Sequence, residues 1–123
     1  MNSIKSKILL VLTLTALLTL GLAGCNKDDT DNRNTLKTLY KTYKNGSIDQ
    51  CKYNGQTVFC AEQNVYDASS TVYDNNGKQI GTCNYAWGQL DEICGKLEDC
   101  ETVYRVKDNI WGQPAVDKYG LGK

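Results

Sequence analysis

Histidine is absent from this sequence. Its absence excludes Ser-His and Cys-His nucleophilic machinery and leaves no imidazole for a metal ion. No two cysteines stand as Cys-x-x-Cys, which argues against a thioredoxin-like redox site and against a zinc ribbon. No glycine-rich phosphate loop is present. The formal charge is +0 and no basic block occurs, so nucleic-acid binding has no electrostatic footprint. Proline, phenylalanine and methionine each occur once, against 8 tyrosines and 2 tryptophans. Tyrosine and tryptophan must therefore supply most of the aromatic surface, either buried in a core or displayed for recognition.

What is present begins with an export pattern. Lys5 and Lys7 give a positive start, residues 8–22 are apolar apart from Thr13, Thr15, Thr19 and a glycine, and small residues precede Cys25. A basic end, a short apolar segment and small residues at a cleavage point are the features of a secretory signal. The apolar run falls short of the ~20 residues that a membrane span needs, and Asn26-Lys27-Asp28-Asp29 is abruptly polar. Leu22-Ala23-Gly24-Cys25 closely resembles the lipobox of bacterial lipoproteins. The resemblance implies cleavage before Cys25, acylation of its thiol and of the new amino group, and a membrane-lipid anchor. One acyl chain anchors marginally, whereas two or more hold a protein stably. Lys27-Asp28-Asp29 also resembles signals that carry some lipoproteins to the outer face of the outer membrane, so the expected location is lipid-anchored at the outer membrane and displayed on the cell surface.

Three segments follow from this reading: a signal peptide at 1–24, an acylated cysteine with a flexible polar tether at 25–34, and one small domain at 35–123. Lys5 and Lys7 leave with the signal, so 12 basic residues face 14 acidic ones, a formal charge of −2. Residues 26–34 carry no apolar side chain and are expected to bury nothing. A domain this small gains from staples, and cysteines in an exported chain are read as disulfides first. Setting Cys25 aside leaves Cys51, Cys60, Cys83, Cys94 and Cys100. Two bridges among five cysteines can be drawn in about fifteen ways, and the pairing stays open at this level.

Periodicity supplies an architecture. Leu36, Leu39, Tyr40 and Tyr43 form one stripe at helical spacing over 35–44, with Asn34 or Thr35 as cap and Asn45-Gly46 as stop. Asn54-Gly55 is a strong hairpin turn, since both central positions of a type I′ turn require positive φ. It predicts a hairpin over 47–61 in which Tyr53 faces Gln56 and Cys51 faces Val58. Cys51 and Cys60 are then diagonal neighbours roughly 7–8 Å apart, at or beyond the reach of an unstrained bridge. A loop at 62–70 precedes a second hairpin over 71–83 around Asp74-Asn75-Asn76-Gly77. Val72 breaks the ligand spacing of a calcium loop there. Leu90, Ile93, Cys94 and Leu97 predict a second helix over 89–99, from which Cys94 would staple to the sheet. A strand over 101–107 and a tail at 108–123 docked through Ile110, Trp111, Val116, Tyr119 and Leu121 complete an α+β domain: a small antiparallel sheet of two β-hairpins plus one later strand, packed by two short helices and stapled by disulfides.

No residue pattern supports catalysis. Asp91-Glu92 and Glu98-Asp99-Cys100-Glu101 are carboxylate clusters of the kind glycosidases pair, but on a small helix they read as solvated surface. The chain is expected not to be an enzyme and to need no cofactor or metal. Trp87, Trp111 and Tyr85, on connections between elements, are the candidate binding aromatics.

The run Tyr-Asn-Gly-Gln-Thr-Val, Tyr-Asp-Asn-Asn-Gly-Lys, Cys83-Asn84-Tyr85-Ala86-Trp87-Gly88, Cys100-Glu101 and Ile110-Trp111-Gly112 resembles a group of small bacterial lipoproteins with no established activity. The resemblance implies bridges among Cys51, Cys83, Cys94 and Cys100, with Cys60 as the free thiol. The expected function is a non-catalytic binding or envelope module for a protein or glycan partner, or alternatively a disulfide-stapled inhibitor of a protease or lysozyme.

Overall fold

The computed structural model describes residues 25–123. The signal segment 1–24, and with it Leu22, Ala23 and Gly24 of the lipobox, lies outside the described residues. The chain divides into two units, Met1–Asp31 and Asn32–Lys123. Of the first, the described part is helical from Cys25; the account below concerns the second.

Among the described residues the architecture is α+β: one α-helix and one seven-stranded antiparallel sheet. Helix α1 spans Cys25–Tyr43, strand β1 Ser47–Tyr53, β2 Gln56–Glu62, β3 Ser70–Tyr73, β4 Gln79–Asn84, β5 Gln89–Leu90, β6 Glu98–Arg105 and β7 Val116–Asp117. The spatial order is β5-β4-β3-β2-β1-β6-β7. Consecutive strands pair along one side of β1, while the late strand β6 returns to its other side.

The sheet is larger than two hairpins and a strand. Asn54 and Gly55 take φ of 51° and 75°, and the turn they make sets Tyr53 opposite Gln56 and Cys51 opposite Val58. In the second turn Asp74 Oδ1 accepts hydrogen bonds from the backbone N–H groups of Asn76 and Lys78, both at 2.9 Å. That hairpin carries a register shift between Val72 and Tyr73. β5 and β7 are two-residue edge strands, too short for any alternation in sequence to mark them.

The helices also depart from expectation. α1 is helical from Cys25, the first described residue, so residues 26–34, expected as a flexible tether, are helical, and Asn34 and Thr35 both lie inside the helix instead of capping it. No glycine or proline interrupts 25–43, so nothing in the backbone chemistry stops the helix there. The second helix does not form. Residues 89–99 divide into β5, a short 3₁₀ turn at Glu92–Gly95 and the start of β6. Asp91 causes this: its backbone N–H donates to Thr82 O at 3.1 Å, and its Oδ2 accepts from Thr82 N at 2.8 Å. Those bonds hold the segment against β4, and the Cys83–Cys94 bridge fastens it. Tertiary contacts override a weak helical period interrupted by Gly95.

Alternation along the strands separates two cores on opposite faces of the sheet. Leu36, Leu39 and Tyr43 of α1 pack on Ile48, Phe59, Ala61, Val103 and Tyr104. Tyr119 and Leu121 of the tail pack against the same cluster. On the other face Cys51, Val58, Val72, Cys83 and Ile93 are buried together, flanked by Tyr53, Cys60, Cys94 and Leu97. Gly81 sits beneath Ile93, where a Cβ would stand 2.4 Å from Ile93 Cγ2.

Candidate binding groove

Three connections meet at one end of the sheet. The first, between β2 and β3, carries Val65 and Tyr66, exposed at 57% and 81%. The second, between β4 and β5, carries Tyr85 and Trp87, exposed at 67% and 69%. The third follows β6 and presents Ile110 and Trp111, both half-buried. Tyr and Trp each carry a large apolar face, and several exposed together at one end of a small domain mark a recognition surface more than a single exposed ring would.

Side-chain amides hold the three connections in place. Asn64 Oδ1 accepts a hydrogen bond from Ile110 N at 2.8 Å, joining the first connection to the third. Buried Asn109 donates through Nδ2 to Val106 O and Gln113 O, each at 2.8 Å, and accepts from Gln113 N at 3.1 Å. Its amide is used on both sides, which fixes the turn that carries Trp111. Asn84 Nδ2 donates to Ser69 Oγ at 3.0 Å, and Asn84 Oδ1 accepts from Trp87 N at 3.0 Å, tying the second connection to the first. Fixed loops of this kind lower the ordering cost of binding.

Between them lies a groove of about 250 Å³, lined by Glu62, Val65, Tyr66, Asp67, Ala68, Ser70, Tyr85, Ala86, Ile110 and Trp111. Its walls are aromatic and aliphatic. Its acidic lining residues are Glu62 and Asp67, and the Ser70 hydroxyl donates to Glu62 Oε2 at 3.2 Å. No lysine or arginine lines it. Burial pushes the Glu62 carboxyl above its usual range, Ser70 opposes that shift through its hydrogen bond, and nearby Asp49 adds to it.

Cys60 stands beside this region on β2, directly across from Asp49 on β1. It is the free cysteine of the domain. Burial, with the negative field of Asp49 and then Glu62, pushes its thiol from 9.0 up to about 11, against the hydrogen bond of Ser70. A thiol held so far above neutral pH is a poor nucleophile. Asp49 accepts from Thr102 Oγ1 at 2.7 Å, and Thr102 in turn accepts from Arg105 Nη2 at 3.1 Å.

Among the candidate aromatics, the structure brings Tyr85 and Trp111 to the groove and leaves Trp87 outside its lining, exposed on the same turn as Tyr85. The remaining cysteines form the bridges Cys51–Cys100 and Cys83–Cys94. Cys25 is the first residue of α1. Sequence reasoning did not single out Tyr66, Glu62 or Asp67, and it placed Ile110 only among the residues that dock the tail. The one available signal was the apolar pair Val65-Tyr66 inside an otherwise polar loop. Among the described residues no group of acidic and cysteine side chains is placed to hold a metal ion, and no helix is long and apolar enough to cross a membrane. No protein-family model, curated protein or solved structure matches this chain.

Proposed function

We propose that this chain is a bacterial lipoprotein, anchored in the outer membrane through acylated Cys25 and displayed at the cell surface, whose domain is a non-catalytic binding module. Leu22-Ala23-Gly24-Cys25 supports the anchor. The convergence of Tyr66, Tyr85 and Trp111 on one groove supports the binding role. Exposed aromatic side chains grouped together beside polar groups are the composition that recognition surfaces favour. Capture from envelope extract by the full chain tests this reading. Trp111→Ala combined with Tyr66→Ala is expected to abolish capture of a protein or glycan; Tyr66 is 81% exposed and its removal costs little stability, while a melting curve measures the loss from half-buried Trp111. Capture unchanged by that double substitution overturns the groove as the site.

The anchor has its own test. Intact mass of the purified chain is expected to place the N-terminus at residue 25 with added acyl mass, and Cys25→Ser to release the protein from the membrane fraction. An unmodified chain starting elsewhere defeats the lipoprotein reading.

One observation favours a second reading, inhibition of a protease or lysozyme. The connection between β2 and β3 projects Tyr66 and holds Asp67 at φ 59°, as a loop presented to an enzyme cleft would. A hydrolase recovered in the same capture experiment, and inhibited by the purified domain, selects this reading over simple binding.

A further inference from the structure

Two features of the groove restrict what can occupy it. Its charged groups are both carboxylates, Glu62 and Asp67, and no lysine or arginine answers them. Its walls carry three aromatic side chains, Tyr66, Tyr85 and Trp111. Carboxylates without a counter-charge repel an anionic ligand. Aromatic faces attract cations through the ring quadrupole. We propose that the groove is a guanidinium site, which takes an arginine side chain of a partner protein between its aromatic walls and its two carboxylates; this rests on the groove being the binding site of the preceding section.

Chemistry discriminates among the cations. A quaternary ammonium has no N–H to give Glu62 or Asp67. A phosphocholine headgroup would bring a phosphate against those same carboxylates, with no cation in the lining to receive it. A lysine ammonium is a strongly hydrated point charge. A guanidinium is planar and weakly hydrated, stacks on aromatic rings and presents a fork of donors to carboxylates. The groove is open to the surface and rimmed by exposed Val65 and by Ile110. Val65 and Ile110 can shield such a side chain from water, as the near-neutral contacts around a buried anchor do at recognition surfaces.

The test uses the full chain in an uncharged detergent with Trp87→Phe, which leaves Trp111 as the sole tryptophan and makes its fluorescence a report on the groove. The probes are N-acetyl-arginine amide, its neutral isostere N-acetyl-citrulline amide, choline and methyl glucoside. The arginine amide is expected to shift Trp111 emission saturably, at least tenfold more tightly than the citrulline amide, and more weakly as salt is raised. Glu62→Gln and Asp67→Asn are each expected to weaken it at least threefold with the melting temperature unchanged. Equal binding of arginine and citrulline amides, or tighter binding of choline or methyl glucoside, overturns the guanidinium assignment and leaves the groove as a binding site. No binding of any probe also overturns it; the groove then survives only if Trp111→Ala still abolishes capture from envelope extract. If capture is unaffected as well, both readings fail.

Discussion

The two faces of the sheet are held together by different means. One face is covered by α1 and by the tail, and its core is built from large side chains: Leu36, Leu39, Tyr43, Phe59 and Tyr104. Tyr40 meets Tyr104 edge-on at 5.0 Å between ring centroids, and the hydroxyls of Tyr43 and Tyr73 are 2.8 Å apart. Among the described residues the other face has no α-helix. A four-residue 3₁₀ turn covers it, its core is Val58, Val72 and Ile93 with two cysteines, and both disulfides lie there. Where apolar area suffices, burial stabilises at about 25 cal/mol per Å². Where it does not, covalent staples restrict the unfolded chain instead. The incomplete cover has a further consequence. Asp49, Cys60, Glu62 and Ser70 share the parity of the disulfide face and are only partly buried, and the groove opens beside them.

This contrast can be broken from either side. The largest effect is expected from Phe59→Ala. Phe59 is fully shielded under α1, and its removal is expected to cost about 3–5 kcal/mol, measured by urea unfolding. The bridges come next. Cys51–Cys100 closes a separation of 49 residues and Cys83–Cys94 one of 11. Loop-closure entropy gives about 4 kcal/mol for the first and about 3 for the second. Paired cysteine-to-alanine variants test the ranking; a larger loss from Cys83–Cys94 would show that loop closure is not what that bridge contributes.

Cys60 probes the same face without altering it. With its thiol raised from 9.0 to about 11, its thiolate fraction at pH 8 falls roughly 100-fold below that of an unperturbed thiol. Iodoacetamide is therefore expected to modify the folded protein roughly that much more slowly than it modifies the unfolded chain. The neutral thiol's contribution to stability is fully present below about pH 9 and is lost as pH rises through about 11, because the native state holds that proton longer. Rapid alkylation of Cys60 at pH 8 would mean that this end of the face opens.

Smaller effects refine the comparison. In Gly81→Ala the new Cβ meets Ile93 Cγ2 at 2.4 Å, and Ile93 is stiff at χ1. The expected loss is about 1–3 kcal/mol, read as a lower melting temperature in the oxidised protein. Trp87→Ala is expected to change stability by less than about 0.5 kcal/mol, because the ring is 69% exposed and outside the groove lining. A large loss there would mean that Trp87 is structural.

Local chemistry settled some of this protein from sequence alone. Asn54-Gly55 fixes its hairpin register, because positive φ at two adjacent positions admits few other turns. Leu36, Leu39, Tyr40 and Tyr43 mark the packed stripe of α1 through a spacing that any helix imposes. What the tertiary structure decided depends on residues far apart in the chain. Leu90, Ile93, Cys94 and Leu97 have helical spacing, yet Asp91 bonded to Thr82 and Cys94 bridged to Cys83 hold them against β4. The groove is assembled in the same way: Tyr66, Tyr85 and Trp111 lie on three separate connections, and Asn64 reaches Ile110 across 46 positions. Turn and helix preferences act over a few bonds and can be read from neighbouring residues. A groove between loops exists only once the sheet has placed their ends together.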